Sequence, residues 1–278
     1  APLWSSEGST LPIVVFSHGL GGFRTIYSHF CRELAAHGYV VAALEHRDGT
    51  AALTMAPEGP EGPWQWYRWM MDHFKSVGMT APHGDPSREA CLRAWREEQV
   101  LLRAEEAKAV LTALLQLGEG GAAPGARVLG LGEDQGASFL ASFKGRLRSE
   151  GAGIAGHSFG AATAEVAAAQ DPRFRAMVCL DPWLYPVPAV VWEAGSTTPV
   201  FSAFAASFQY AGMEACNHHQ LDRPGSTCIT VKGAVHASFS DFPVVSPAVM
   251  KKMKMSSPDP VAHSTLTAAA AVAWLARA

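Results

Sequence analysis

No stretch of the chain stays apolar for the roughly 18 residues that a membrane-spanning helix requires, so that class of protein is excluded. The 278 residues include only five cysteines, Cys31, Cys91, Cys179, Cys216 and Cys228, and none stands in C-x-x-C spacing. That rules out a zinc or dithiol framework. An odd, scattered set fits a reducing compartment slightly better than an oxidising one, which favours a cytoplasmic location and leaves secretion open. Charge is sparse: 17% of residues are charged and the formal net charge is −3, so nothing resembles the basic footprint of a nucleic-acid binder. There is no internal repeat and no linker, so a single domain over residues 1–278 is expected. The chain begins at Ala1 with no methionine and no signal-peptide pattern, which suggests a fragment or a processed form.

The hydrophobic fraction is 48%, enough for a well-buried core. Its most informative stretch is Ile154-Ala155-Gly156-His157-Ser158-Phe159-Gly160, followed by an Ala-rich helix former from Ala161 to Ala169. A short apolar approach, a Gly-x-Ser-x-Gly corner and a helix together make the setting of a nucleophile elbow. The serine must be held in a strained backbone so that its hydroxyl projects from the top of a sheet. Side chains at Gly156 and Gly160 would strike the neighbouring strand or helix.

The apolar run Leu11–Phe16 predicts a strand buried on both faces of a parallel sheet, Tyr39–Leu44 and Phe174–Leu180 predict further buried strands, and Pro199–Phe204 and Thr227–Val231 two more strands. Helices are predicted over Ile26–His37, Ser87–Leu117 (stopped by Gly118), Phe139–Arg148 and Thr265–Ala278. Strand–helix–strand alternation places the chain in the α/β class, with a mostly parallel sheet and helices on both faces. On the long helix, Arg96, Glu97, Glu98, Arg103, Glu105, Glu106 and Lys108 read as the solvated side. Residues 50–86 lose periodicity and include Trp64, Trp66 and Trp69. These rings either plug the segment into the core or form a lipid- or substrate-facing patch.

In open α/β sheets functional groups gather at the carboxyl ends of the strands. Ser158, Asp181 and His236 fall there, in the chain order of α/β-hydrolases. Serine is a poor nucleophile at neutral pH, so His236 would take its proton and Asp181 would hold the imidazole tautomer. Activity should therefore fall on acidification. The negative charge developing on the substrate oxygen needs backbone N–H donors, one from Phe159 and one from the His18-Gly19-Leu20-Gly21-Gly22 turn, at Leu20. His18 and His157 read as residues that order these turns. Asn217-His218-His219-Gln220 reads as a polar loop, and no metal or other cofactor is expected.

Taken together, the blocks FSHGLGGFRTIYSHFCRELAAHGYVVAALEHRDG, GIAGHSFGAATAEVAAA, RFRAMVCLDPWLYPV and ITVKGAVHASFSDF resemble the platelet-activating factor acetylhydrolases, in their plasma (lipoprotein-associated) and type II intracellular forms. The resemblance implies an α/β-hydrolase fold and a calcium-independent, phospholipase A2-type serine esterase, that is, a carboxylic ester hydrolase of 1-alkyl-2-acetylglycerophosphocholine. Its substrates would be phospholipids with an acetyl or a short or oxidised acyl group at position 2. Ser158, Asp181 and His236 fall on the triad, and Leu20 and Phe159 on the oxyanion donors. It also implies a lipid- or lipoprotein-surface contact after the histidine, where Met250, Met253 and Met255 stand among lysines. The family carries a sizeable segment before the HGLGG turn, so early strands and lid parts are expected to be missing here. Ala161 stands for a family glycine, and Pro182 for an alanine. Two other readings remain: a broader carboxylesterase or cutinase-like lipase with the same triad, and a binding protein on an inactive hydrolase fold.

Overall fold

The computed structural model describes residues 10–55, 62–121, 126–207 and 213–277. Residues 1–9, Pro57 and Pro60, and part of the 118–137 loop lie outside those residues. In chain order the elements are β1 (Ile13–Ser17), α1 (Ser28–Ala36), β2 (Val40–Ala43), β3 (Leu53–Met55), β4 (Trp64–Trp66), α2 (Met70–Ser76), α3 (Pro86–Glu119) and α4 (Glu133–Ala141). There follow β5 (Ala152–His157), α5 (Phe159–Gln170), β6 (Phe174–Leu180), α6 (Ala189–Ala194), β7 (Val200–Ala205), α7 (Met213–Leu221) and β8 (Thr227–Val231). A 3-10 turn (His236–Phe239), α8 (Phe242–Val245), α9 (Pro247–Lys252) and α10 (Pro260–Leu275) complete the chain.

Six strands form one parallel sheet in the order β2-β1-β5-β6-β7-β8. Alternation along the strands divides the core into two layers. Ile13, Val15, Ile154, Met177 and Cys179 pack with Val100, Ala104 and Leu111 of α3 and Ala164 and Val166 of α5. Val14, Phe16, Ala155, Val178 and Leu180 pack with Phe30 and Leu34 of α1 and Ala268 and Ala271 of α10. A strand covered on both faces needs apolar residues at every position, which is why these strands read as unbroken apolar runs. The fold class is the α/β-hydrolase type expected, with the exits of β1, β5, β6 and β8 all at one end of the sheet.

Several local expectations are corrected. The cap of α3 is Asp85, whose carboxylate accepts the Ser87 amide at 2.8 Å, and Pro86 fills the first helical position. The helix does not stop at Gly118. That glycine lies inside it because a Cβ there would come 3.0 Å from Leu147 Cβ, and Gly120, at φ +85°, makes the left-handed ending. The next helix is α4, earlier than Phe139–Arg148, with Glu133 and Asp134 in its first turn favoured by the helix dipole. Asn217 to Gln220 belong to α7 rather than to a loop, and Gln220 is buried.

The charges of α3 are not all solvated. Arg103 is fully enclosed and Arg96 nearly so, on the stripe they share with Val100, Ala104, Ala107 and Leu111. The segment before α3 folds as a small antiparallel ribbon, β3 with β4, lying outside the main sheet. Trp64, Trp66 and Trp69 are 55%, 71% and 67% exposed, so these three rings do not plug the core. Residues two apart on a strand share a face, and among the described residues no layer covers the face bearing Trp64 and Trp66.

Candidate active site

Each glycine of the elbow is enforced by backbone contact. A Cβ on Gly156 would lie 2.1 Å from the Gly160 carbonyl oxygen, and one on Gly160 would lie 2.0 Å from the Ser17 carbonyl oxygen. Between them Ser158 is forced to φ 56° and ψ −116°, a region that costs a non-glycine residue about 1–3 kcal/mol. The strain is held by three backbone bonds. The Ser158 amide donates to the Leu180 carbonyl at 2.9 Å, and the Ser158 carbonyl accepts from Ala161 at 3.0 Å and Trp183 at 3.1 Å. The side chain stands at the amino-terminal end of α5, where the first N–H groups, Phe159 among them, lack helical partners.

Asp181 follows β6 immediately and also takes a positive φ, 43°. Its carboxylate is fully buried and both oxygens are engaged. Oδ1 accepts the Ala205 amide at 2.7 Å and Oδ2 lies 2.6 Å from His236 Nδ1. Burial pushes this carboxyl up from its usual range, opposed by the hydrogen bond and charge of His236. His236 opens the 3-10 turn after β8, and its side chain keeps 23% exposure. The ring of His157, the residue before Ser158, lies 4.6 Å from the His236 ring. Asp181 and His236 are thus in direct contact, and Ser158 joins them at the same sheet end.

On the other side of the elbow the chain leaves β1 through His18 to Gly22. Gly21 donates to the Thr50 carbonyl at 2.8 Å and Gly22 to that of Gly19 at 3.1 Å. Among the described residues no acceptor takes up the Leu20 amide. Beneath this turn lies the buried Arg103, whose charge sequence reasoning placed in solvent. Its guanidinium donates to the His18 carbonyl at 2.7 Å, to Thr50 Oγ1 at 2.9 Å and to Asp48 Oδ2 at 3.0 Å. The guanidinium carbon also sits 4.7 Å from the centre of the Phe159 ring. Asp48, Thr50 and Tyr27 were missed altogether. Arg103 was readable only from its place on the buried stripe of α3.

Of the candidate lipid-contact methionines, Met253 is exposed and Met255 half-buried, but Met250 is only 7% exposed and belongs to the core. Within α9 Met250 alone turns inward, while Val249 and the lysines are exposed, as is Met253 just past the helix end. Val244 and Val245 of α8 are exposed nearby.

Three enclosed histidines give the fold a pH dependence. Burial holds His18, His46 and His157 well below the ordinary histidine range, helped by the Arg103 charge at the first two. They are neutral when folded and take up protons on unfolding, so their stabilisation is complete above about pH 6.5 and is lost as the pH falls below it. The raised carboxyls of Asp181 and Glu106 act the other way, but only nearer the carboxylate range. The melting temperature is therefore expected to drop between pH 7.5 and 5.5. A flat thermal-melt series would contradict neutral burial of these rings.

Among the described residues no group of three His, Cys, Asp or Glu side chains is arranged to hold a metal ion. Comparison with known proteins agrees with the fold. The solved structure of a ferulic acid esterase from Streptomyces cinnamoneus superposes with a TM-score of 0.65 at 19% identity, covering 100% of this chain and 68% of the other. A platelet-activating factor acetylhydrolase of Cavia porcellus is 34% identical over 90% of this chain and 53% of its own length. That of Canis lupus familiaris is 32% identical over 86% of this chain and 51% of its own. The chain thus spans about half the length of the curated relatives it matches. The family profile described as "Platelet-activating factor acetylhydrolase, isoform II" matches residues 2–278. The chain belongs to that family.

Proposed function

We propose that the protein is a serine esterase that removes the acetyl or short or oxidised acyl group from position 2 of phospholipids such as platelet-activating factor, without calcium. The observation that carries this is the 2.6 Å contact between Asp181 Oδ2 and His236 Nδ1 beside a serine held at φ 56°. With Nδ1–H donated to the carboxylate, Nε2 of His236 is the nitrogen that takes the Ser158 proton. Ser158 Oγ then attacks the ester carbonyl, and the Leu20 and Phe159 amides bind the resulting oxyanion. The leaving lyso-alcohol takes its proton from His236. Water, deprotonated by the same ring, frees the acyl group from Ser158.

The lipid-surface part of this reading is carried by exposure. Trp64, Trp66 and Trp69 are exposed, and their ribbon is linked to the oxyanion turn by the Ala52 amide on the Gly22 carbonyl. Val244 and Val245 are exposed on α8, whose Phe242 ring packs edge-on against Phe23, next after the turn. Lys251, Lys252 and Lys254 follow, all exposed. Apolar side chains flanked by lysines suit an anionic lipid surface.

The test is release of acyl groups from 2-acetyl and 2-long-acyl phosphatidylcholine in the presence of a calcium chelator. Acetate release at least tenfold faster than long-acyl release is expected. Cleavage of p-nitrophenyl butyrate alone would give the substrate to a broader, cutinase-like carboxylesterase. Co-sedimentation with phosphatidylserine vesicles, expected to weaken severalfold in the Trp66→Ser/Trp69→Ser variant, tests the surface contact.

A further inference from the structure

His157 does more than precede the serine. Its ring is enclosed and bonded at both nitrogens: Nε2 lies 3.0 Å from the His236 carbonyl oxygen and Nδ1 lies 2.9 Å from the Tyr27 hydroxyl. The Tyr27 oxygen in turn accepts the Gly19 amide at 3.1 Å. The chemistry of each end fixes the direction of every bond. A peptide N–H only donates, so the phenol accepts from Gly19 and its own hydrogen goes to His157 Nδ1. A carbonyl only accepts, so His157 carries its proton on Nε2. One unbroken line therefore runs from the Gly19 amide through Tyr27 and His157 to the His236 carbonyl.

The two ends of that line matter. Gly19 immediately precedes Leu20, the proposed oxyanion donor, and His236 is the proposed base. These groups come from the exits of β1 and β8, four strands apart in the sheet. Neither strand pairs with the other, so no hydrogen bond of the sheet ladder joins the two exits directly. We propose that Tyr27 and His157 are positioning residues that fix the oxyanion turn against the base through this directional hydrogen-bond chain. The inference rests on the serine-esterase reading and adds two residues that touch neither substrate nor the reacting atoms. The Phe239 ring lies 6.2 Å from that of His157 at 29° to it, and the histidine is 5% exposed, so its ring is packed rather than open to solvent. Geometry of this kind acts on the chemical step, because a displacement of about 1 Å at a reacting centre can cost on the order of 100-fold.

The experiment compares Tyr27→Phe, His157→Leu, His157→Gln and the double variant Tyr27→Phe/His157→Leu with the parent on a soluble ester, alongside thermal melts. Tyr27→Phe is expected to lower kcat by about 10- to 100-fold with KM within twofold. The affinity for a trifluoromethyl ketone, which forms the tetrahedral adduct, should fall by the same factor. A purely structural residue would lower the melting temperature without this kcat and adduct signature. Because both residues sit on one chain, the double variant should be no worse than the worse single one. His157→Gln, whose amide offers a donor and an acceptor, should retain more activity than His157→Leu. If Tyr27→Phe does not fold, the His157 pair gives the same comparison. A folded Tyr27→Phe with kcat within twofold of the parent, or additive losses in the double variant, overturns the proposal. Activity surviving in Ser158→Ala would instead overturn the esterase reading itself, so the two failures are distinguishable.

Discussion

Replacing Ser158 by alanine is expected to lower kcat for any ester by roughly four orders of magnitude or more, with the melting temperature nearly unchanged. The first half follows from the chemistry. Without Oγ there is no atom to form the acyl intermediate, and what remains is oxyanion binding and substrate positioning. The second half follows from the contacts. The bonds that hold residue 158 use its amide and carbonyl, which alanine keeps, and alanine retains the Cβ that suffers at φ 56°. Ser158→Gly separates the two effects further. Glycine adopts positive φ without the Cβ penalty, so this variant is expected to be as inactive as alanine and to melt higher, by about 1 kcal/mol of stability. That pairing is the signature of strain kept for function. Activity persisting in Ser158→Ala would remove the nucleophile, and a lower melting point in Ser158→Gly would remove the strain argument.

What the sequence made legible was local chemistry repeated at strand ends. The elbow could be read because its glycines, strand and helix all lie within about 20 contiguous residues, and the requirement for Gly156 and Gly160 is steric. β6 was legible to the residue because its residues are buried and apolar apart from Arg175, and β8 because Thr227, Ile229, Thr230 and Val231 are β-branched, although only Val231 of that edge strand is buried. Other features had no local trace. The ribbon carrying Trp64 and Trp66 gave away its composition but not its facing, since exposure depends on whether another layer arrives over it. Met250 and Met253 have the same chemistry, and only the orientation of α9 separates core from surface. Gly118 looked like the helix stop, yet it is there for a close approach by Leu147, and it is Gly120 that takes the left-handed backbone. Tyr27 depends on partners at positions 19 and 157, a juxtaposition made by the fold alone.

Arg103→Met is expected to be the most destabilising single substitution near the site, costing about 3–5 kcal/mol. Methionine matches the length of the aliphatic stem, so the loss is not one of volume. It comes from what is left behind: a buried Asp48 carboxylate without its cation, and the His18 carbonyl and Thr50 hydroxyl without a donor. Against a total stability of about 5–15 kcal/mol that is a large share, visible as a fall of order 10 °C in thermal melts. Activity should fall too, in whatever fraction folds, because Arg103 holds the Leu20 turn from both sides. It binds the carbonyl of His18 directly, and binds Thr50, whose own carbonyl fixes the Gly21 amide. The ion-pair account makes a sharper demand. If the penalty is an uncompensated charge, then Arg103→Met/Asp48→Asn must recover part of the loss, because the stranded carboxylate is gone. If the penalty is lost packing over Phe159, the double variant will be no better than the single one. The recovery of the double variant therefore decides whether the turn is held in place by charge or by shape, and Asp48, with only 1% of its side chain exposed, predicts charge.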